Sequence, residues 1–310
     1  MLTQPMDVLK EFPIRKSKKQ KLAFRVSVQD YVKTLGYESY TEAGSFGAQN
    51  LIIGDPNKAR YLVTAHYDTC ARMPFPNLIT PCSFFPFLLY QLFTVIVMFA
   101  FVAIPAVPTY FLTEDKNITF FVAYVALLGF LALMMLGPAN KNNANDNTSG
   151  VVAVLEIAKA LPLNQRDKVC FILFDLDEAG LLGSSGYRSK HKKVSDKQIV
   201  LNLDCVGDGD EIVFFLTSKL RKSVDGLEKL RQCAGPIGKK SIAIHEKGFS
   251  YYPSDQANFP LGVGIAALNR SKWAGLYLSR IHTYKDTILD ETNINILRAA
   301  LITLISNDAS

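Results

Sequence analysis

Between Lys18 and Leu35 the apolar residues Leu22, Val26, Val28, Tyr31, Val32 and Leu35 recur at helical spacing before Gly36, which predicts an amphipathic helix stopped by glycine. The rhythm then changes to short apolar runs. Asn50 to Gly54 and Arg60 to Ala65 read as two strands joined through the turn Asp55-Pro56-Asn57, a hairpin-like pair that delivers His66-Tyr67-Asp68 to a strand end. No charged residue occurs from Met73 to Thr113, and a second charge-free run covers Asn117 to Asn140. Each is longer than the roughly 20 residues that cross a hydrocarbon core of about 30 Å. Only Thr113-Glu114-Asp115-Lys116 separates them, so residues 82–139 read as a transmembrane helical hairpin inserted into a discontinuous domain of residues 1–81 and 140–310. A pair of buried core helices and a monotopic hairpin bent at Pro86, Pro105 and Pro108 are the competing readings.

After residue 140 the pattern is regular. A helix is predicted at Gly150 to Leu161, strands at Lys168 to Phe174, Gln198 to Leu203 and Glu211 to Leu216, and a helix at Lys219 to Cys233. Gly262 to Leu268 reads as a further strand and Asn293 to Ile305 as a closing helix. Helices alternating with apolar strands imply an α/β sheet covered on both faces.

With 310 residues and 49% hydrophobic content the chain can hold one large domain, or a medium one with an insertion. The net charge of +6 is modest, but Lys10, Arg15, Lys16, Lys18, Lys19, Lys21 and Arg25 crowd the N-terminal region. No basic patch interleaved with aromatics accompanies them, so lipid or solvent is expected to face them rather than nucleic acid. Arg72 and Lys141 flank the hairpin's base and join a lysine-rich body, which places that body in the cytoplasm by the positive-inside tendency. The five cysteines, Cys70, Cys82, Cys170, Cys205 and Cys233, form no CxxC and no regular spacing, so reduced thiols rather than disulfides are expected. The N-terminal MLTQPMDVLKEF is polar and acidic where a secretory signal needs an apolar core.

Candidate chemistry gathers after the apolar strands: His66 and Asp68 after YLVTA, Asp177 and Glu178 after VCFILF, and Asp204 after IVLNL. Any one of these carboxylates can equally cap the next helix. Asp146, in NKNNANDNTSG, lies where a turn-rich loop enters a helix, and His282 stands in RIHTYKDT. Together these oxygen and nitrogen donors are the kind a hydrolytic zinc pair prefers.

The motifs AHYDT, NDNTSG, FDLDEAGLLGS, NLDCVG, PSDQANF and HTYKDT, in that order, resemble those of zinc-dependent aminopeptidases of the M28 peptidase family, over the whole chain except residues 82–139. The resemblance implies a mixed, mostly parallel sheet with helices on both faces. It implies that His66 and Asp204 bind one zinc, Glu178 and His282 another, and that Asp146 bridges the two. Asp68 would orient the His66 imidazole, and Asp286 would support His282 or cap the final turn. The general base would be Asp177, where the family usually has glutamate. Ile281 stands where members often carry an oxyanion-stabilising tyrosine; Tyr251, Tyr252 or Tyr284 would have to substitute. His191 and His245 read as surface residues, and Cys70 and Cys205 as packing thiols. The implied activity is removal of N-terminal residues from short or hydrophobic peptides by an integral membrane enzyme. A single-zinc enzyme like the glutaminyl cyclases, and a membrane-anchored peptide-binding protein with little catalysis, are the alternatives.

Overall fold

The computed structural model describes residues 2–308. In chain order the strands are β1 (Ser39–Ala43), β2 (Gln49–Ile53), β3 (Tyr61–His66), β4 (Val169–Phe174), β5 (Ile199–Leu203), β6 (Glu211–Leu216), β7 (Gly235–Ile237), β8 (Lys240–His245), β9 (Gly262–Ser271) and β10 (Gly275–Tyr277). The principal helices are α1 (Lys18–Thr34), α2 (Phe84–Thr113), α3 (Lys116–Leu136), α4 (Gly150–Ala160), α5 (Leu182–Lys190), α6 (Val224–Arg231) and α7 (Glu291–Asn307).

The strands form one mixed sheet in the order β1-β2-β4-β3-β5-β9-β6-β8-β7, with β10 paired to β9. Its centre, β4-β3-β5-β9, is parallel, and antiparallel pairings flank it. Every residue of β3, β4 and β5 is buried, as expected of strands covered on both faces. Alternation along the strands splits the core in two. Tyr61, Val63 and Ala65 of β3 face α1, α4 and α7, whereas Leu62 faces Tyr187 of α5 and Phe259. Helix α4 is nearly all apolar and buries Val151, Val152, Val154, Leu155 and Ile157 completely, each worth about 1.5–3 kcal/mol by area removed from water.

Three expectations change. The β2–β3 pair is not a hairpin: β4 lies between them, antiparallel to β2 and parallel to β3. The link from Asp55 to Arg60 is too long for a tight hairpin, and two strands as apolar as β3 and β4 are buried best side by side at the centre. The helix expected over Lys219 to Cys233 is interrupted, because the Ser223 hydroxyl accepts the Gly226 N–H and starts α6 afresh. On α1, Leu22 and Val26 face outward, while Phe24, Val28, Tyr31 and Val32 face the core. Phe24 stacks on Tyr67 at 5.2 Å, and two basic residues turn inward with it. Lys21 pairs with Asp175 at 2.7 Å and Arg25 donates to the Tyr67 hydroxyl at 2.6 Å. Part of the basic N-terminal run, Arg15 included, is therefore buried within the body and faces no partner surface.

Helices α2 and α3 pack against each other as an antiparallel pair and carry exposed apolar side chains along their length, including Phe99, Ile104, Phe111, Phe120 and Leu136. They are not core helices. Helix α2 runs through Pro105 and Pro108 to Thr113, and α3 stops before Gly137-Pro138, a pair that cannot extend it.

Phe171 is fully buried at the centre of β4, edge-on to Tyr37 at 5.8 Å. Replacing it with alanine is expected to cost about 3–5 kcal/mol, read as a lower denaturation midpoint of the purified protein. A loss below about 1 kcal/mol, the range of surface changes, would contradict its central place.

Candidate active site

The parallel strands end on one edge of the sheet, where α/β folds concentrate their chemistry. His66 is the last residue of β3 and is paired in register with Phe174, the last residue of β4. Its Nε2 lies 3.2 Å from Asp146 Oδ1, 3.5 Å from Asp204 Oδ1 and 3.9 Å from Asp177 Oδ2. Its Nδ1 faces Asp68, 3.2 Å from the main-chain oxygen and 3.5 Å from Oδ1. The same Asp68 carboxylate accepts the N–H groups of Asp177 (3.1 Å) and Glu178 (3.3 Å). One side chain thus ties the end of β3 to the turn after β4.

Asp146 sits in a tight turn over Ala144–Ser149, just ahead of α4, and the Asp146–Asn147 peptide is cis. Its polar neighbours explain the composition of that stretch. Asn147 donates to the Leu203 carbonyl at 2.9 Å and accepts from Gly150 and Cys205, while the Ser149 hydroxyl accepts from Val206 at 3.0 Å. A Cβ on Gly150 would stand 2.2 Å from the Leu203 oxygen, so only glycine allows α4 to start this close to β5. From the other side Asp286 accepts the N–H groups of Asn145 (2.7 Å) and Asp146 (3.0 Å). Asp286 therefore holds the Asp146 loop; the cap of the last helix is Asp290.

His282 comes from the loop between β10 and α7. Its Nε2 is 2.8 Å from Asp146 Oδ2 and 3.5 Å from Glu178 Oε1. The loop is fixed by the Met73 N–H on the His282 carbonyl (2.9 Å) and by Asn77 on the Ile281 carbonyl (3.1 Å). Ile281 is buried against Val213, Phe215 and Leu278, so its side chain packs. Leu176, Cys205 and His282 all have φ near +60°, a conformation costly for residues with a side chain and concentrated here at or beside the convergent groups.

The donor atoms fall into two groups. Cys70, Asp146, Glu178 and His282 each offer one atom within 4.8 Å of the others, and His66, Asp146 and Asp204 do the same. Asp146 belongs to both. Burial, helped by neighbouring carboxylates and opposed by His282 and His66, pushes Glu178 up to about 7 and Asp177 well above the carboxylate range. Burial alone would lower His282, but Glu178 and Asp146 override it and lift it to about 10. Asp146 goes the other way despite its burial, held below the usual range by His282 and His66. Asp177 Oδ1 and Glu178 Oε1 have no hydrogen-bond partner, although both are buried. The carboxylates of Asp68, Asp146, Asp177, Glu178, Asp204, Asp255 and Asp286 share this region with one guanidinium, Arg15, whose Nε and Nη1 donate to the carbonyls of Tyr67 and Phe12 and to Thr148 rather than to a carboxylate. So much uncompensated buried negative charge, with nitrogen donors pointing into it, suits divalent cations.

Of the other residues singled out in the sequence, Tyr252 is half-buried beside the site, donates to the Asp204 carbonyl at 2.9 Å and stacks on Phe215. Tyr251 and Tyr284 are exposed. His191 bonds Glu42 at 2.8 Å and stacks on Tyr187, and His245 bonds the Phe249 carbonyl at 2.8 Å, so both serve local structure. Three residues gain a place that residue pattern alone did not give them. Arg15 lies fully buried at the site's rim. Asp255 is fully buried with both carboxylate oxygens unpartnered, and burial pushes it up to about 7. Cys70 is drawn into a donor group. The only sequence signal for Asp255 was its motif, PSDQANF; a buffering network of Thr64, Asn202, Ser254 and Gln256 positions the turn that carries it.

The family model for Peptidase family M28 matches residues 131–304, more than half of the chain. Aminopeptidase YwaD of Bacillus subtilis (strain 168) is 34% identical over 130 residues, which cover 38% of this chain and 29% of that relative, so the match spans under a third of the relative's length. Among solved structures, a Zn-dependent exopeptidase from Parabacteroides distasonis ATCC 8503 is 18% identical, with a TM-score of 0.59 over 98% of this chain and 95% of its own. The glutaminyl cyclase of Porphyromonas gingivalis is 17% identical with the same TM-score and coverage. The LapA aminopeptidase of Legionella pneumophila is 14% identical, with a TM-score of 0.57 over 99% of this chain and 69% of its own. These structural likenesses define a zinc-aminopeptidase-like fold, and with the motif order and the family match they lead to one conclusion: the chain belongs to peptidase family M28.

Proposed function

We propose that this chain is a membrane-anchored, zinc-dependent metallopeptidase that removes N-terminal residues from short or hydrophobic peptides. The observation that carries the reading is Asp146, whose two carboxylate oxygens face different histidines in two donor groups that meet at this one side chain. In this reading His66 and Asp204 hold one zinc, Glu178 and His282 hold the other, and Asp146 bridges them. Zinc bound there supplies Lewis acidity toward a peptide carbonyl and makes water acidic enough to lose a proton near neutral pH.

The protein's own groups do the rest. Asp177, with Oδ1 buried and free of partners, is the base that takes the proton of the attacking water and returns it to the departing amine. Aspartate is one methylene shorter than the glutamate usual in the family, but the turn after β4 carries it to within 3.9 Å of His66 Nε2. Asp68 holds Nδ1 of His66 so that Nε2 is presented to the donors. Tyr252 is engaged by the Asp204 carbonyl, so it steadies the end of β5. A glutaminyl cyclase-like reaction with a single zinc is the second reading, favoured by the equal fold likeness to the Porphyromonas gingivalis enzyme.

Helices α2 and α3 support the membrane part of the reading. The 21 residues of α3 rise about 30 Å at 1.5 Å each, the thickness of a hydrocarbon core, and α2 is longer at 30 residues. The excess lies at the base, where α2 docks on the body. Phe84 and Phe87 pack on Phe249, both at 5.4 Å, Tyr90 donates to the Pro76 carbonyl at 3.1 Å, and Phe93 meets Phe75 at 6.0 Å. The segment that receives α2 also bonds the His282 loop, and a cleft of about 430 Å³ lies between them, lined by Met73, Phe75, Pro76, Thr283, Tyr284 and Lys285. This cleft beside the His282 loop, with Met73, Phe75 and Pro76 on one side and Arg72, Thr283 and Lys285 among its polar lining, suits peptides with an apolar side chain arriving along the bilayer surface. Arg72 and Lys141 at that base, with five free cysteines, favour a cytoplasmic body.

Purified protein loaded with zinc is expected to release amino acids from peptides with free N-termini, and Asp177→Asn is expected to lower kcat by about 100-fold or more while bound metal, measured by elemental analysis, is unchanged. Unchanged turnover in that variant would remove Asp177 from its role, and release of pyroglutamyl product from N-terminal glutamine at one zinc per chain would favour the second reading. In membranes from expressing cells the protein is expected to stay in the pellet after alkaline carbonate extraction, and a variant lacking residues 82–139 to appear in the supernatant. Release of the intact chain by carbonate would contradict the spanning hairpin.

A further inference from the structure

The two donor groups at Asp146 are unequal. On the His66 side there are three protein donors, His66, Asp146 and Asp204; on the His282 side there are four, because Cys70 joins Asp146, Glu178 and His282 within 4.8 Å. Cys70 follows His66 by four residues, where β3 has already ended and no periodicity fixes the side chain's direction. Its backbone does fix it. The Cys70 carbonyl accepts the Asn140 N–H at 3.2 Å, Ala71 bridges to Ala139, and Thr69 Oγ1 accepts the Arg15 N–H at 3.0 Å. These contacts clamp the strand end to the returning chain on the far side of the hairpin, and the thiol is left 2% exposed, aimed inward. Its contact with Asn143 Oδ1 is long, 3.6 Å.

We propose that Cys70 is a ligand of the metal ion on the Glu178–His282 side, which makes the two metal positions different in kind. A zinc ion held by four protein donors is closed and serves structure, whereas one held by three keeps a position open for water and substrate. The Glu178–His282 position is then the closed one, and the His66–Asp204 position carries the reaction. Asp177 stands on the open side, with Oδ2 3.9 Å from His66 Nε2, where a base is useful. On ligation the sulfur–metal bond forms as the thiol proton leaves to solvent. The soft thiolate biases this position toward zinc and against magnesium or manganese. Cys205 does not play this part: its thiol donates to the neighbouring Asp204 carboxylate at 3.3 Å and lies outside both donor groups. The inference rests on the two-metal reading above and gives its two ions separate tasks.

The test uses the full-length protein in detergent, stripped of metal and reloaded with cobalt(II). A thiolate-to-cobalt charge-transfer band in the near ultraviolet is expected in the wild type and in Cys205→Ser, and its loss in Cys70→Ser. Independently, X-ray absorption at the zinc edge of the zinc-loaded Cys205→Ser chain is expected to show a sulfur scatterer at about 2.3 Å. This measurement decides the matter if Cys70→Ser does not fold. Two bound metal equivalents without a sulfur band, and with only nitrogen and oxygen scatterers at the zinc edge, would overturn the ligation and leave the metallopeptidase reading intact. A chain that binds no metal would overturn both.

Discussion

The structure depends on how a buried cluster of carboxylates is kept together. Asp146 is 3% exposed, yet it presents one oxygen to His66 and the other to His282, while Asp177, Glu178, Asp204 and Asp255 crowd the same edge of the sheet. Burying one unpaired carboxylate costs several kcal/mol, and burying many without cations would outweigh the whole stability of a domain. The fold supplies a scaffold rigid enough to hold these groups in opposition: the all-buried strands β3, β4 and β5, the α4 start pressed on Leu203, and the Asp286 and Asn147 contacts that fix the Asp146 loop from two sides. An arrangement of this kind suits divalent cations.

The hairpin enters at the most constrained point of that scaffold. Residues 82–139 lie between the strand that ends in His66 and the loop that carries Asp146, and the chain leaves and returns through paired segments around Cys70–Arg72 and Pro138–Asn140. The insertion therefore does not loosen the site. Its two ends are stitched together before the helices begin, and the lower turns of α2 are docked on aromatic residues of the body. Docking of this kind fixes the direction of the two apolar helices relative to the site edge of the sheet, which distinguishes them from an appendage on a flexible linker.

Much of this was legible in the sequence because the signals were strong and local. Fully apolar runs gave β3, β4 and β5, the long charge-free stretches gave α2 and α3, and three of the candidate ligands, His66, Glu178 and Asp204, followed an apolar run. What failed was non-local. Nothing in Asn50 to Ala65 says that β4, more than a hundred residues away in the chain, will slide between β2 and β3. The outward turn of Leu22 and Val26 follows from Phe24 meeting Tyr67 and Lys21 meeting Asp175, contacts that helical periodicity cannot see. Cys70 was read as packing because it falls on none of the family's ligand positions, and its inward aim comes from pairing with residues on the far side of the hairpin. Edge strands β1, β7 and β10 are short, partly exposed and weakly patterned, so they left little trace.

The central claim is that one aspartate joins two metal positions. Anomalous scattering at the zinc edge from crystals of the zinc-loaded protein tests it directly. The account predicts two peaks, one on either side of Asp146, between His66 and Asp204 and between Glu178 and His282. A single peak, or none, at the Asp146 carboxylate would contradict it.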